Sequence, residues 1–143
     1  MKVLVFFMLM GNLIFANSIK GYWMTQEGKN GKEAIVYIQK VGEIYSGKIN
    51  YIATVDKKFN ILSYTDKDEL IGFELVKNFK KVDDLTYNEG RIIDPKSSRE
   101  YYASVKIDGN NLILRGSLDS YGILGAKRVW KKVNIKKNDE GKL

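Results

Sequence analysis

The chain of 143 residues contains no cysteine, no histidine and a single proline, Pro95. Without cysteine there is no disulfide, no thiol nucleophile and no thiolate metal site. Without histidine there is no imidazole for a Ser-His-Asp triad or for most zinc centres. Acid–base work by carboxylates, lysine or tyrosine remains, alongside plain binding. Helical periodicity is almost absent, and no apolar run reaches the roughly 20 residues of a membrane-spanning helix. A chain of this length is expected to form one domain, hiding roughly two thirds of its unfolded surface, enough for a core without covalent staples.

Charge and aromatic rings are what the sequence does have. Lys and Arg number 24 against 17 Asp and Glu, a formal net charge of +7, and there are nine Tyr, six Phe and two Trp. Twenty of the basic residues are Lys, accompanied by much Ile and Asn. Coding bias produces that mixture as readily as selection for anionic partners, so charge alone identifies no partner.

The chain opens with Met1-Lys2, an apolar run from Val3 to Met10, a Gly11-Asn12 break, then Leu13, Ile14, Phe15 and Ala16. A positive start, a short apolar stretch and a small residue before a polar chain are the marks of an export signal. Cleavage is expected after Ala16, with a cut after Ser18 as the alternative because Ile14 stands where a small residue is usual. An uncleaved anchor is the competing reading. Residues 1–17 are therefore read as a signal peptide, 18–133 as the folded domain and 134–143 as a charged, flexible tail. The expected location is the periplasm or the extracellular space. Export permits disulfides, yet none is used, so stability must come from packing and backbone pairing.

From Gly21 to Val133 short apolar alternations are separated by Gly, Asn and Asp turns, an all-β pattern. In 33–41, Ala34, Val36 and Ile38 share a face. In 44–52, Tyr45, Gly47, Ile49 and Tyr51 share one, opposite Ser46, Lys48 and Asn50. Residues 53–68 lack alternation and carry much charge, so they read as a long connection and a candidate mouth or lid loop. A strand is expected over 70–79, with Ile71, Phe73, Leu75 and Phe79 on its apolar face, and another over 85–93. Asp94-Pro95 makes a turn. Tyr101, Ala103, Val105 and Ile107 give the cleanest alternation. Asp108-Gly109-Asn110-Asn111 is a hairpin signal leading to Leu112, Leu114, Gly116 and Leu118, and a last strand runs over 126–133. About eight strands joined by local turns predict a single antiparallel up-and-down barrel, with a sandwich as the alternative. Closure at this size leaves an interior that is either filled by side chains or holds one small ligand.

Gly21-Tyr22-Trp23, Gly90-Arg91-Ile92-Ile93-Asp94-Pro95 followed by Tyr101, Leu114-Arg115-Gly116, Leu124-Gly125 and Val129-Trp130-Lys131-Lys132-Val133 occur in that order. Together they resemble the bacterial family called domain of unknown function 2147, across essentially the whole mature chain. The resemblance implies a small exported protein with a lipocalin-like barrel and no established activity. The chain departs from the family pattern at Ser98, where a Gly is usual, at Arg99 and at Ile93, and it lacks the Cys pair of some members. Gly21-x-Trp23 also resembles the opening of lipocalin-type barrels. That likeness implies a Trp23 plug at the closed end with Arg115 or Arg128 packed across it and Trp130 nearby.

Of the carboxylates available for catalysis, Asp94 lies in a turn and Asp56, Asp66, Asp68 and Glu69 lie in or near the charged connection. Turn capping and solubility account for all of them, and no catalytic residue is assigned. Asp66-Lys67-Asp68-Glu69 lacks calcium-loop spacing, and no Gly-rich phosphate loop precedes a helix, so neither a metal nor a cofactor is expected. Lys127, Arg128, Lys131, Lys132, Lys136 and Lys137 cluster around Trp130. This cluster suits a weak anionic envelope surface, whereas nucleic acid is discounted because export removes the chain from it. The leading expectation is a monomeric, non-enzymatic binder of a small apolar or amphipathic molecule. Tyr45, Tyr51, Phe73 and Tyr101 are its wall residues, and Arg115 is a wall charge if its face points inward. The alternative is an envelope interaction module with a solid barrel.

Overall fold

The computed structural model describes residues 18–117 and 126–135. The expected signal peptide, residues 118–125, with Leu118 of the expected apolar face, and residues 136–143 of the expected tail lie outside these. Nine strands make one antiparallel sheet among the described residues. They are β1 (Gly21–Met24), β2 (Lys32–Val41), β3 (Ile44–Val55), β4 (Ile61–Thr65), β5 (Glu74–Lys81), β6 (Thr86–Ile93), β7 (Glu100–Asp108), β8 (Asn111–Ser117) and β9 (Ala126–Lys132). Because β1 pairs with β9 on one side and β2 on the other, and β2 also pairs with β3, the sheet closes into a barrel of eight strands. The ninth, β4, is added along the far half of β3. Among the described residues β4 is the outermost strand, and β9 pairs with β1 only through Lys131 and Lys132, so the first half of β9 has no strand partner on that side.

The hairpins form where the turn residues predict them. Val41 faces Ile44 across Gly42-Glu43, and Asp108 faces Asn111 across Gly109-Asn110. Gly109 takes a φ of 60°, which a two-residue hairpin loop requires.

A single bulge shapes one wall. Ile35 pairs with Tyr51 and Val36 with Ile49, so Asn50 is an extra residue in β3. A one-residue insertion in a period-two strand exchanges its faces. Below the bulge Tyr45 and Ile49 point into the barrel; above it Ile52 does, while Tyr51, Ala53 and Val55 point out. At the same place β3 changes partner, pairing with β5 through Tyr45–Lys48 and with β4 through Ile52–Val55.

Two sequence expectations are corrected here. Residues 53–68 are not a long connection. β3 continues to Val55, and β4 returns after a tight turn in which Asp56 Oδ1 accepts the N–H groups of Lys58 and Asn60, both at 2.9 Å. Alternation is missing because Ile52, Ala53 and Val55 are buried on both faces of the sheet. The strand expected over 70–79 begins only at Glu74. Residues 68–73 are turns in which Asp68 Oδ1 accepts the Leu70 N–H at 2.9 Å and Leu70 O accepts the Phe73 N–H at 3.1 Å.

Two apolar clusters result. The inner one fills the barrel with Trp23, Ile38, Tyr45, Ile49, Val76, Phe79, Tyr87, Leu112, Leu114 and Trp130 among others. The outer one lies outside β1–β4: Met24, Ile35, Tyr51, Ala53, Val55 and Tyr64 are buried there beneath Phe59, Ile61, Val133 and Ile135. Tyr51 and Tyr64 meet edge to face at 5.2 Å. Val133 is tied down by its N–H donating to Tyr22 O at 3.2 Å. Ile135, within the segment that the sequence assigns to the tail, is packed on this outer cluster.

Candidate functional site

Among the described residues, one end of the barrel is stoppered. The segment before β1 crosses it and buries Ile19 completely. Trp23 Nε1 donates to the Ile19 carbonyl at 2.8 Å, and the Ile19 N–H donates to the Tyr87 hydroxyl at 3.4 Å. Tyr87 in turn meets Tyr45 edge to face at 5.0 Å. Burial holds the Tyr87 phenol above its ordinary pKa, and the hydrogen bond from Ile19 partly opposes the rise. The cation near Trp23 is Lys132, whose Nζ lies 6.0 Å from the ring centroid. Neither of the expected arginines stacks there. Trp130, 4% exposed, packs within the inner cluster opposite Leu112.

The opposite end is where the 25–31, 66–73 and 94–99 connections lie. Several apolar side chains there are half-buried rather than buried. Ile92 and Tyr101 pair across β6 and β7, and both flank Gly116. A Cβ added at Gly116 would lie 3.6 Å from Ile92 Cδ1 and 3.8 Å from Tyr101 Cβ. Ile71, Phe73 and Ile92 are half-buried against the inner cluster. Arg128 pairs with Leu114 and therefore shares the inner face of the wall. Its side chain is nonetheless 54% exposed, and its Nε lies 3.4 Å from Glu27 Oε2.

Glu27 is delivered by a fixed loop. Glu33, only 3% exposed, accepts through Oε1 from Thr25 Oγ1 at 2.7 Å and from the Glu27 N–H at 2.8 Å, and through Oε2 from the Gly28 N–H at 2.8 Å. Thr25 Oγ1 itself accepts the Ala34 N–H at 3.0 Å. A buried carboxylate that satisfies all these donors pins the loop to the start of β2.

Of the side chains expected to line a pocket, Phe73 and Tyr101 stand at the open end. Tyr45 is buried against the stopper. The bulge at Asn50 corrects the expected facing of Tyr51, which belongs to the outer cluster, 5% exposed. Arg115 is corrected too: it pairs with Ser104 and Lys127 on the outer face and is exposed. Arg128, expected at the plug, faces the mouth instead. Pattern reasoning did not single out Ile19, Glu27, Glu33, Tyr87 or Ile92 for the site. Only Ile92, alternating with Gly90, carries a readable signal.

The carboxylates weighed for catalysis are turn groups. Asp94 Oδ1 accepts the Lys96 N–H at 2.9 Å, which holds its carboxyl below the ordinary value. Asp56 is lowered in the same way, first by the Asn60 N–H. Among the described residues no three acidic side chains gather as a metal site. A groove of about 290 Å³ on the outer face of β2 and β3, lined by Tyr37, Ile44, Ser46, Lys48, Asn50 and Glu74 among others, is separated from the barrel interior by the sheet.

A family described as an uncharacterized protein conserved in bacteria, DUF2147, matches residues 21–132, from the first strand to the last. The chain belongs to this family. In this DUF2147 chain the described family-like segments lie in or beside the barrel wall: Gly90 lies under Phe79, Ile92 packs on the inner cluster, Asp94-Pro95 turns the chain, and Leu114 and Gly116 line the inner face beside β9, whereas Leu124-Gly125 lies outside the described residues. Among solved structures, protein HP1028 from the human pathogen Helicobacter pylori, which belongs to the lipocalin family, is 20% identical. It matches with a TM-score of 0.59 over 82% of this chain and 84% of that chain. At that identity the likeness is one of fold: the chain is a lipocalin-like β-barrel. No curated protein matches.

Proposed function

We propose that this DUF2147 protein is a non-enzymatic binder of a small apolar or amphipathic molecule, working in the cell envelope after export. The observation that carries the reading is the asymmetry of the barrel. Among the described residues one end is stoppered by Ile19, Trp23 and Tyr87, while at the other Ile92, Tyr101 and Phe73 are only partly buried on or beside the inner face. Partly exposed apolar and aromatic side chains at a barrel end, with a charged pair beside them, match the composition of small-molecule sites. A lipocalin-like fold and a family without assigned catalysis support binding over chemistry.

Export rests on the N-terminal sequence. The stopper favours processing after Ala16 over Ser18. Cutting after Ser18 would turn the buried Ile19 amide into a charged terminal ammonium beside Tyr87, at a cost in desolvation.

The test is native mass spectrometry of the protein purified from its own cell envelope, followed by organic extraction. A stoichiometric small molecule is expected. A protein that arrives empty and stays empty when offered envelope lipids overturns the carrier reading and turns the search to a protein or anionic surface partner.

A further inference from the structure

We infer that the ligand's polar end is anionic and that Arg128 is the residue that receives it, with Glu27 standing in for that anion in the ligand-free barrel. The inference rests on the carrier reading and extends it to the charge of the ligand.

The register is the first support. On β9 the inward positions are Ala126 opposite Gly116, Arg128 opposite Leu114 and Trp130 opposite Leu112. An arginine in that series interrupts an apolar stripe. Were it a plug residue it would lie beside Trp23, but it lies two residues nearer the open end than the buried Trp130. Its side chain is 54% exposed, so the guanidinium is open to solvent.

The second support is the partner it has. Glu27 approaches Arg128 at 3.4 Å, longer than the roughly 2.7–2.9 Å of a strong charge-assisted hydrogen bond. Both side chains are about half-exposed, so water and salt weaken the pair. Glu27 is not there by its own attraction: the Glu33 carboxylate holds the Glu27 and Gly28 amides at 2.8 Å and fixes the loop. A carboxylate is thus presented to an inward-facing arginine by a loop anchored elsewhere. An incoming carboxylate or phosphate can replace it without unfolding anything. Guanidinium offers a planar fork of donors suited to either group. Ile92 and Tyr101, across β8, supply the apolar surface for the rest of the molecule.

The probes are dodecanoate, dodecyl phosphate and the uncharged dodecanol, titrated calorimetrically into wild type, Arg128→Gln and Glu27→Gln. Wild type is expected to prefer the anions. Arg128→Gln should weaken anion binding about tenfold, the loss of one charged hydrogen bond, and leave dodecanol unchanged. Glu27→Gln should strengthen anion binding severalfold by removing the competitor. Whichever anion binds better identifies the head group. Both substitutions fall on half-exposed side chains, and a circular dichroism melt of each variant verifies the fold. Equal binding of anions and dodecanol, with a ratio unmoved by Arg128→Gln, overturns the inference and leaves the carrier reading standing. Binding of none of the three removes the carrier reading itself.

Discussion

The ring of Phe79 lies where a side chain at position 90 would be: a Cβ added at Gly90 would sit 2.3 Å from Phe79 Cε1. Beside this contact the β5–β6 ladder is interrupted between Lys77↔Arg91 and Lys80↔Asn88. Asn78 and Glu89 take φ of 64° and 62° there. The wall bends so that one strand's ring can cover the other's bare backbone. Gly90→Ala is therefore expected to cost about 3 kcal/mol, the upper end of overpacking penalties. Urea unfolding measures it. In the Phe79→Leu background the same substitution should cost clearly less, because the two positions share one space.

Glu33 is expected to be the most sensitive polar position. Glu33→Ala strips the acceptor from Thr25 Oγ1 and from two loop amides in a site that is 3% exposed. Removing one side of such a buried charged network costs about 3 kcal/mol. Glu27→Gln, on a half-exposed partner of Arg128, should stay within about 0.5 kcal/mol of wild type. Equal effects of the two in chemical denaturation would show that the loop is not held through Glu33.

How much of this could be read in advance depended on whether period two held. Where strands alternate without a break, as at Tyr101, Ala103, Val105 and Ile107, the facing is correct to the residue, and so is the hairpin at Gly109. The bulge at Asn50 is invisible because nothing in Ile49-Asn50-Tyr51 distinguishes an inserted residue from an ordinary outward one. A single insertion sent Tyr51 to the wrong side. Residues 53–65 were unreadable for a different reason: a second cluster buries the outer face there, so both faces are apolar. Arg115 and Arg128 are equally polar in sequence, and only the β8–β9 register separates the outward one from the inward one. The loop anchored by Glu33 depends on tertiary hydrogen bonds that leave no local pattern.

Stability should fall at both ends of the pH range, through different groups. Hydrogen bonds from backbone amides lower the carboxyls of Asp56, Asp83 and Asp94, whose leading donors are Asn60, Leu85 and Lys96. Because their folded-state pKa values lie below the ordinary 3.8, the stability they confer is present above that pH. It drains away as the pH falls through the folded values. Tyr87 is shifted the other way, raised by burial above 10.0. Its contribution is intact below pH 10 and is lost as the pH rises through the folded value. Thermal midpoints across the pH range should show both declines, and Asp94→Asn should make the acid decline shallower. Tyr87→Phe should remove part of the alkaline decline while lowering the plateau, since the Ile19 N–H loses its acceptor.

Tyr51 and Tyr101 separate stability from binding. Tyr51 is 5% exposed in the outer cluster, against Tyr64 at 5.2 Å and Tyr22 at 6.2 Å, with the sheet between it and the barrel interior. Tyr51→Ala should cost about 3–5 kcal/mol, as truncation of a large buried aromatic does, and leave the affinity of the folded protein for an apolar probe unchanged. Tyr101 is half-buried on the inner face at the open end, so Tyr101→Ala should cost less in stability and weaken the probe severalfold. Arg115→Ala, on the outer face, should alter neither by more than about 0.5 kcal/mol. Fluorescence titration with an environment-sensitive apolar dye, run alongside urea unfolding, reads both quantities for each variant. A loss of dye binding in Tyr51→Ala that matches the loss in Tyr101→Ala would place the ligand outside the barrel, on the β1–β4 face.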